Sequence, residues 1–426
     1  MNNTPVGTPR PLKIRLCAMM FLQYFVQGSY LNIVSVYLRD ALGFDDSQIG
    51  NFLAALALGP ILAPLVFGQL VDRVLPTERV LAGCHLTAGL LMLALYTQIS
   101  YGIVLALGTA YSVMYVPTMM LTNSLAFRHL VNREREFPLV RVWGTLGFIV
   151  PAWLIEFYFL RGLSGEALNT ARGIAFAVSG TVGVVMAAYC LTLPSTPPDP
   201  NGRGKFAPAV VFGLLRRRDF LFLSLVTFVI AGVHNFYFVW NGPLLQSVLG
   251  RIGAAGKVQS FTTIGQIAEI AAMAIVGTSV LRLGYKRTMA IGLAAYALRC
   301  VALAAAGDDS FSPAVSVGLA AIGNALHGVC FGFFLATAFM YVNDASPPDV
   351  KGSMQTVYGT LIFGLGGVLG ANFAGRLGNV YKLSPPGADA VYNWNGIWLT
   401  CAAAAGICLV VFALGFPRRQ LDAKKS

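Results

Sequence analysis

Long apolar stretches separated by short polar connections make up most of the chain. A helix that crosses a bilayer takes ~20 mostly apolar residues, and twelve stretches of the sequence meet that requirement. We number these predicted transmembrane helices as spans 1 to 12. Their approximate limits are 15–37, 48–70, 80–98, 102–127, 138–160, 172–193, 220–242, 259–281, 288–306, 314–340, 354–376 and 395–416.

One connection is longer than the others and divides the chain in two. Residues 194–219 are rich in proline, glycine and charge, and they include three consecutive arginines at 216–218. We therefore expect an N-terminal six-helix bundle over 1–193, a cytoplasmic linker over 194–219 and a C-terminal six-helix bundle over 220–426.

A short internal repeat supports this division. The sequence VWGTL at 142–146 in span 5 is echoed by VYGTL at 357–361 in span 11, six spans later. Two parallel halves with a central site between them are an arrangement typical of transporters. The repeat therefore favours a transporter over other classes of membrane protein.

The distribution of lysine and arginine predicts the orientation of the spans, because cytoplasmic loops carry an excess of both. With the two termini in the cytoplasm, the cytoplasmic side holds 21 of the 30 basic residues and the opposite side holds seven. Arg141 and Arg299 lie within spans. We therefore expect both termini to be cytoplasmic.

The composition excludes several other classes of protein. Hydrophobic residues make up 56% of the chain and charged residues only 11%, against about 25% charged in soluble proteins. The net charge of +12 is scattered over short loops and forms no patch for nucleic acid. The seven cysteines all fall in apolar stretches without CxxC spacing, which indicates neither disulfides, a metal site nor a cofactor.

Glu269 is the clearest candidate for function. It lies in the middle of span 8 with no charged neighbour within ten residues. A charge at the bilayer centre costs roughly 2.5–3.5 kcal/mol, so the carboxyl group must face a polar cavity, a partner or a proton. Gln266 lies one turn earlier on the same helix face and offers hydrogen bonds. The alternative for Glu269 is a structural ion pair with Arg141 or Arg299.

Other polar residues within spans have two interpretations each. Arg141 either binds in a central cavity or extends along the helix to the interface, and for Arg299 we favour a structural role. His85 is expected to be a packed polar residue. His234 and His327 either line the site or form hydrogen bonds between helices.

Several motifs resemble known transporters. The GQLVDR segment, with Gly68, Asp72 and Arg73, resembles the loop signature of the major facilitator superfamily between helices 2 and 3. Other segments resemble one branch of it, the bacterial nucleoside:proton symporters. These segments are Phe21-Leu22-Gln23 with Gly28-Ser29, Tyr115-x-Pro117-Thr118 with Asn123, Phe137-Pro138-x-x-Arg141-x-Trp143-Gly144-Thr145-x-Gly147-Phe148, Gln266-x-x-Glu269 and Leu298-Arg299.

The resemblance implies roles for individual residues. It makes Arg141, Thr145, Phe148, Gln266 and Glu269 candidates for the substrate or proton site. Of these we expect Glu269 to be the proton-coupling residue, and the resemblance also gives Gly68, Asp72 and Arg73 a role in the cytoplasmic gate. The predicted substrate-binding residues include those that lie on spans 7 and 10, which the resemblance places against the cavity. The full set is Arg141, Thr145, Phe148, His234, Tyr237, Gln266, His327 and Phe331.

The sequence also departs from that family. In span 7, His234 and Tyr237 stand where the family has glutamine and asparagine, and in span 10, His327 and Gly332 replace its tyrosine and aspartate. These replacements leave the substrate open, so a carrier of a sugar, a drug or another metabolite is the alternative.

Together these observations predict an all-α membrane protein of twelve spans in two bundles, the major facilitator fold, located in a bacterial inner membrane. We expect a monomer that imports a nucleoside or similar small polar solute with protons by alternating access. No HExxH, GxSxG or signalling domain favours a membrane enzyme or a sensor. No nucleic acid, metal or cofactor is expected to bind.

Overall fold

The structure is a computed structural model, which describes residues 7–62, 67, 70–71, 74–198, 217–346, 351–385 and 390–417. These residues are helical apart from connecting turns and one isolated β-bridge between Lys382 and Tyr392. The chain divides into two compact units. The first comprises Met1–Phe44 and Ala55–Gly202, and the second comprises Asp45–Ala54 and Arg203–Ser426.

The helices up to residue 190 are of very different lengths, and some predicted spans are built from more than one of them. They are α1 (Arg10–Tyr30), α2 (Val34–Asp40), α3 (Asp46–Leu56), α4 (Thr77–Tyr96), α5 (Tyr101–His129), α6 (Arg133–Leu154), α7 (Gly165–Ala171) and α8 (Ile174–Cys190).

The helices after the connection at 194–219 include the longest in the protein. They are α9 (Arg218–Gly250), α10 (Val258–Ala306), α11 (Pro313–Val329), α12 (Thr337–Ala345), α13 (Lys351–Gly359), α14 (Gly367–Tyr381) and α15 (Trp394–Gly415). Within the connection itself, residues 199–216 lie outside the described residues.

Nine helical runs in the described part of the chain are long and apolar enough to cross a membrane. One of them, Ala255–Ala306, contains both predicted spans 8 and 9. Gly284 interrupts its helical geometry with φ +76° and ψ 166°, a conformation that glycine adopts without the steric cost of a Cβ atom. Span 1 is likewise interrupted, by a turn at residues 31–33 between α1 and α2.

Among the described residues, wider helical turns occur at three places. π-helical segments cover Ile155–Phe159, Cys330–Ala336 and Thr360–Gly366. The first continues α6, the second joins α11 to α12 and the third joins α13 to α14. Such turns often mark functional positions in helices.

Glycines allow α1 and α6 to pack at backbone distance within the first unit. A Cβ atom on Gly147 would collide with the carbonyl oxygen of Phe21, and one on Gly28 would collide with the backbone of Phe148. In a bilayer, where lipid is as apolar as a leucine side chain, such close van der Waals packing is a main source of helix association. The two glycines therefore fix the distance between these helices.

The start of α3 packs within the second unit. The Asp46 carboxylate is 3% exposed, and both of its oxygens accept hydrogen bonds from the Tyr392 hydroxyl, at 2.8 and 3.0 Å. The Asn379 amide donates to the Ser47 hydroxyl at 2.8 Å. These contacts attach the first residues of α3 to α14 and to the segment that precedes α15.

Replacing Gly147 by alanine is expected to destabilise the protein, because the added methyl group has no room against the Phe21 carbonyl. Overpacking of this kind costs about 1–3 kcal/mol. We expect a lower apparent Tm of the purified protein in detergent. The matched control is Gly83→Ala on α4, where a Cβ atom meets nothing within 4 Å and where alanine raises helix propensity. A Gly147→Ala variant as stable as the Gly83→Ala variant would contradict the proposed packing constraint.

Candidate functional site

Three predicted site residues share one face of α6 in the first unit. Arg141, Thr145 and Phe148 follow one another at spacings of four and three residues, and all are partly buried. The guanidinium carbon of Arg141 lies 4.2 Å from the centre of the Tyr24 ring, an arrangement that stabilises a cation through the ring face. The α6 face thus combines a positive charge, a hydroxyl group and an aromatic ring.

The motif residues of α1 and α5 form a buried hydrogen-bond network instead of a site. Gln23 donates to the Thr118 hydroxyl at 2.8 Å and its side-chain oxygen lies 2.9 Å from His85 Nε2. The Tyr115 hydroxyl donates to the Gln23 carbonyl at 2.6 Å. Because all four residues are buried, the network connects α1, α4 and α5 as structural support. His85 is thus the packed polar residue expected from the sequence.

The second unit brings four predicted site residues together as neighbouring rings. His234 and His327 stack with 5.3 Å between ring centres and 30° between planes. Tyr237 lies 5.0 Å from His327, and Phe331 lies 6.2 Å from His234. We call His234, Tyr237, His327 and Phe331 the ring cluster. It joins α9 to α11 and to the π-helical segment after α11.

Gln266 and Glu269 lie where α10 crosses α11. A Cβ atom on Gly265 would come within 3.2 Å of the His327 Cβ atom, and one on Gly328 would collide with the backbone of residues 268 and 269. The two helices therefore touch along their backbones at this point. As a result, Gln266 and Glu269 lie on the segment that crosses α11 at the ring cluster.

Two buried polar atoms at this crossing have no hydrogen-bond partner among the described residues. They are the side-chain oxygen of Gln266 and Nδ1 of His327. An unpaired buried acceptor costs about 1–3 kcal/mol. The Gln266 oxygen is therefore suited to binding a ligand that offers an N–H or O–H group, whereas His327 Nδ1 donates or accepts according to the tautomer of its ring. Glu269 is only partly buried, in contrast to Gln266.

Several residues of the second unit surround the ring cluster without having been predicted as site residues. The Tyr237 hydroxyl donates to Asn324 Oδ1 at 2.7 Å, and the Asn241 amide donates to the same oxygen at 3.1 Å. His234 Nδ1 lies 2.9 Å from the Tyr296 hydroxyl. The spacing of Asn324 and His327, one turn apart in span 10, is the sequence signal that indicates Asn324.

The remaining predicted residues do not add to these clusters. Gly68, Asp72 and Arg73 lie outside the described residues. Gly332 has room for a Cβ atom, with the nearest contact at 3.4 Å. Within the described ranges no group of three or more histidine, cysteine or acidic residues is arranged to hold a metal ion.

A family model described as nucleoside H+ symporter matches residues 11–421. The chain belongs to the nucleoside H+ symporter family. It is therefore a multi-pass membrane transporter and not an enzyme, as the sequence predicts, and the resemblance to the bacterial nucleoside:proton symporters is confirmed.

Individual relatives agree with this family assignment. The chain is 30% identical over 409 residues to the putative nucleoside transporter YegT of Escherichia coli (strain K12), covering 94% of this chain and 93% of the relative. It is 26% identical over 422 residues to the xanthosine permease of the same organism, covering 95% and 96%. The solved structure of the nucleoside transporter NupG superposes with a TM-score of 0.83 at 21% identity, covering 96% of this chain and all of that one.

Asn324 is expected to matter more for stability than the Tyr237 hydroxyl does. Asn324→Ala removes the acceptor of two buried donors, which costs about 1–3 kcal/mol for each donor left unpaired. Tyr237→Phe removes one donor but leaves the Asn241 amide bonded to Asn324 Oδ1. We expect Tm to fall further for Asn324→Ala than for Tyr237→Phe. Equal losses would show that the shared acceptor is not the centre of this network.

Proposed function

We propose that the protein imports nucleosides together with protons by alternating access. We further propose twelve transmembrane spans in two six-helix bundles, over 1–193 and 220–426, with 194–219 as a cytoplasmic linker and both termini in the cytoplasm. The 21 basic residues of the assigned cytoplasmic side support that orientation. We expect a monomer in the lipid bilayer, since one chain contains both bundles.

The unpaired side-chain oxygen of Gln266 is the observation that most directly supports a nucleoside as substrate. The base and the ribose of a nucleoside both carry N–H or O–H donors, and binding them would pair this buried acceptor. Phe331 is the ring of the cluster that is only partly buried, so its face is the one that can stack on a planar base, and stacked aromatic pairs contribute about 0.5–1.5 kcal/mol beyond burial. We therefore assign His234, Tyr237, Gln266, His327 and Phe331 to base recognition.

The α6 face supplies a second set of substrate contacts in this proposal. Arg141 offers donors in a fixed planar arrangement, Thr145 offers a hydroxyl group and Phe148 offers a ring. These groups match the oxygen atoms and the apolar faces of a nucleoside. We assign Gly68, Asp72 and Arg73 to the cytoplasmic gate on the basis of the family signature alone.

Glu269 is the proposed proton carrier. It is the only acidic residue in span 8, and it lies on the helix that also carries Gln266, one turn away. A carboxyl group inside a membrane protein is stable in its neutral form when it is shielded from water, so it can accept a proton on one side and release it on the other. The proximity of Glu269 to Gln266 links protonation to substrate binding.

The proton gradient supplies enough free energy for accumulation. A membrane potential of ~100 mV contributes ~2.3 kcal/mol for each proton, and a gradient of one pH unit adds ~1.4 kcal/mol. One proton per neutral nucleoside therefore sustains an inward concentration ratio of roughly several hundred.

A second candidate substrate class is a nucleoside whose base carries an unusual set of hydrogen-bond donors and acceptors. The replacement of the family's residues by His234, Tyr237, His327 and Gly332 supports it, because these positions would contact the base. The similarity to a xanthosine permease makes an oxopurine nucleoside the first compound to compare with uridine and adenosine.

Glu269→Gln is expected to abolish proton-driven accumulation while leaving nucleoside binding measurable. Glutamine keeps the shape and a hydrogen-bonding group but cannot exchange a proton. The measurement is uptake of labelled uridine, adenosine and xanthosine into proteoliposomes with an imposed inward proton gradient, with and without an uncoupler. Exchange of labelled for unlabelled nucleoside without a gradient should persist in the variant.

The matched control is Glu166→Gln. Glu166 is exposed on the short helix α7, and this variant should accumulate nucleosides like the wild type. Accumulation undiminished in Glu269→Gln would move the proton site to another residue. A folded wild-type protein that transports none of the three nucleosides would overturn the nucleoside proposal and favour a different solute.

A further inference from the structure

Arg299 lies behind the ring cluster and is not used by the transport proposal above. Its side chain is only 2% exposed, and its guanidinium carbon is 3.7 Å from the centre of the Tyr237 ring. The Cys330 thiol on the π-helical segment interacts with this guanidinium group, and the three guanidinium nitrogens have no oxygen or nitrogen hydrogen-bond partner among the described residues.

This burial excludes the usual reason for an arginine in a transmembrane helix. An arginine that extends to the interface keeps its charged end in water, whereas this one is fully enclosed. A guanidinium group is always charged in proteins and presents a flat face that stacks on aromatic rings. The stack on Tyr237 is thus the principal contact that compensates for burying this charge.

The stack leaves the Tyr237 ring with little freedom. Arg299 covers one face, the hydroxyl is bound by Asn324 at 2.7 Å, and His327 lies 5.0 Å away at an angle of 31°. His327 in turn stacks on His234. A change in the orientation of Tyr237 would therefore displace the whole ring cluster.

We propose that Arg299 is a positioning residue, which holds the Tyr237 ring and through it the ring cluster in the orientation that binds the base of the substrate. The binding part of this inference rests on the proposed function; the positioning part does not. Arg299 does not contact the substrate in this proposal. Its contribution is preorganisation, which improves affinity by reducing the ordering that binding requires.

The binding test is a double-mutant cycle between Arg299 and Tyr237. Equilibrium binding of labelled nucleoside is measured on purified protein in nanodiscs for the wild type, Arg299→Met, Tyr237→Leu and the double variant. We expect Arg299→Met to raise Kd about tenfold, because the Tyr237 ring must then be ordered when the substrate binds. In the Tyr237→Leu background the same change should alter Kd by less than about twofold, because its effect acts through the ring.

The variant Arg299→Lys tests whether the positive charge of the guanidinium group or its planar shape positions the Tyr237 ring. Lysine keeps the positive charge but is a compact, strongly hydrated ion that does not stack as a planar group. We expect it to raise Kd in the same direction as Arg299→Met. A Kd equal to that of the wild type would show that charge alone is required and would overturn the positioning role. The control is Leu298→Ala, an adjacent exposed position on α10, which should leave Kd unchanged.

A second measurement does not depend on the substrate. With 3-fluorotyrosine placed at position 237, the 19F NMR spectrum should show one sharp line in otherwise wild-type protein and in Leu298→Ala. Arg299→Met should broaden or split that line as the ring gains alternative orientations. An unchanged line, or an equal rise in Kd with and without Tyr237, contradicts the inference. If the wild type binds no nucleoside, the proposed function fails, while the spectrum still decides whether Arg299 positions the ring.

Discussion

The interior of a bilayer offers no water, so each polar group there must be paired within the protein or serve a ligand. This constraint separates two kinds of polar residue in the described structure. Both polar atoms of the Gln23 amide are paired, with the Thr118 hydroxyl and with His85 Nε2, and they support the packing of the first unit. Gln266 retains an unpaired side-chain oxygen on the segment where α10 crosses α11, which is why we connect it with binding and not with stability.

Close contact between helices is what brings the unpaired atoms into one place. Gly265 and Gly328 have no side chains, and α10 and α11 therefore meet along their backbones. The segment of α10 that carries Gln266 therefore passes close to His327 on α11. A larger residue at either glycine would push α10 and α11 apart, and the side chains of Gln266 and His327 would move apart with them. The geometry of the proposed site thus depends on Gly265 and Gly328, which contribute no polar side chain themselves.

The sequence predicted the helical class and offered candidate site residues because long apolar runs and isolated polar residues within them are visible in one dimension. It did not predict the role of Arg299, since its stack on Tyr237 joins residues 62 positions apart on different helices. Likewise, the motif with Gln23 and Thr118 was recognisable, but only the structure shows that its side chains are paired with each other. The break at Gly284 inside a continuous helical run also depends on backbone angles that composition does not reveal.

The π-helical segment Cys330–Ala336 has a consequence for how such carriers diverge. A wide turn accommodates one residue more than an α-helical turn, and each residue of an α-helix rotates the chain by about 100°. Here the Thr337 hydroxyl bonds to the Gly332 carbonyl five residues earlier, at 2.9 Å. An extra residue in a regular α-helix would rotate all later side chains by that angle, whereas the wide turn takes up the residue locally. Loss of one residue from this turn would therefore give an ordinary α-helical turn and leave the side chains of α12 facing as they do, so the chain can gain or lose a residue here without exchanging the surface of that helix.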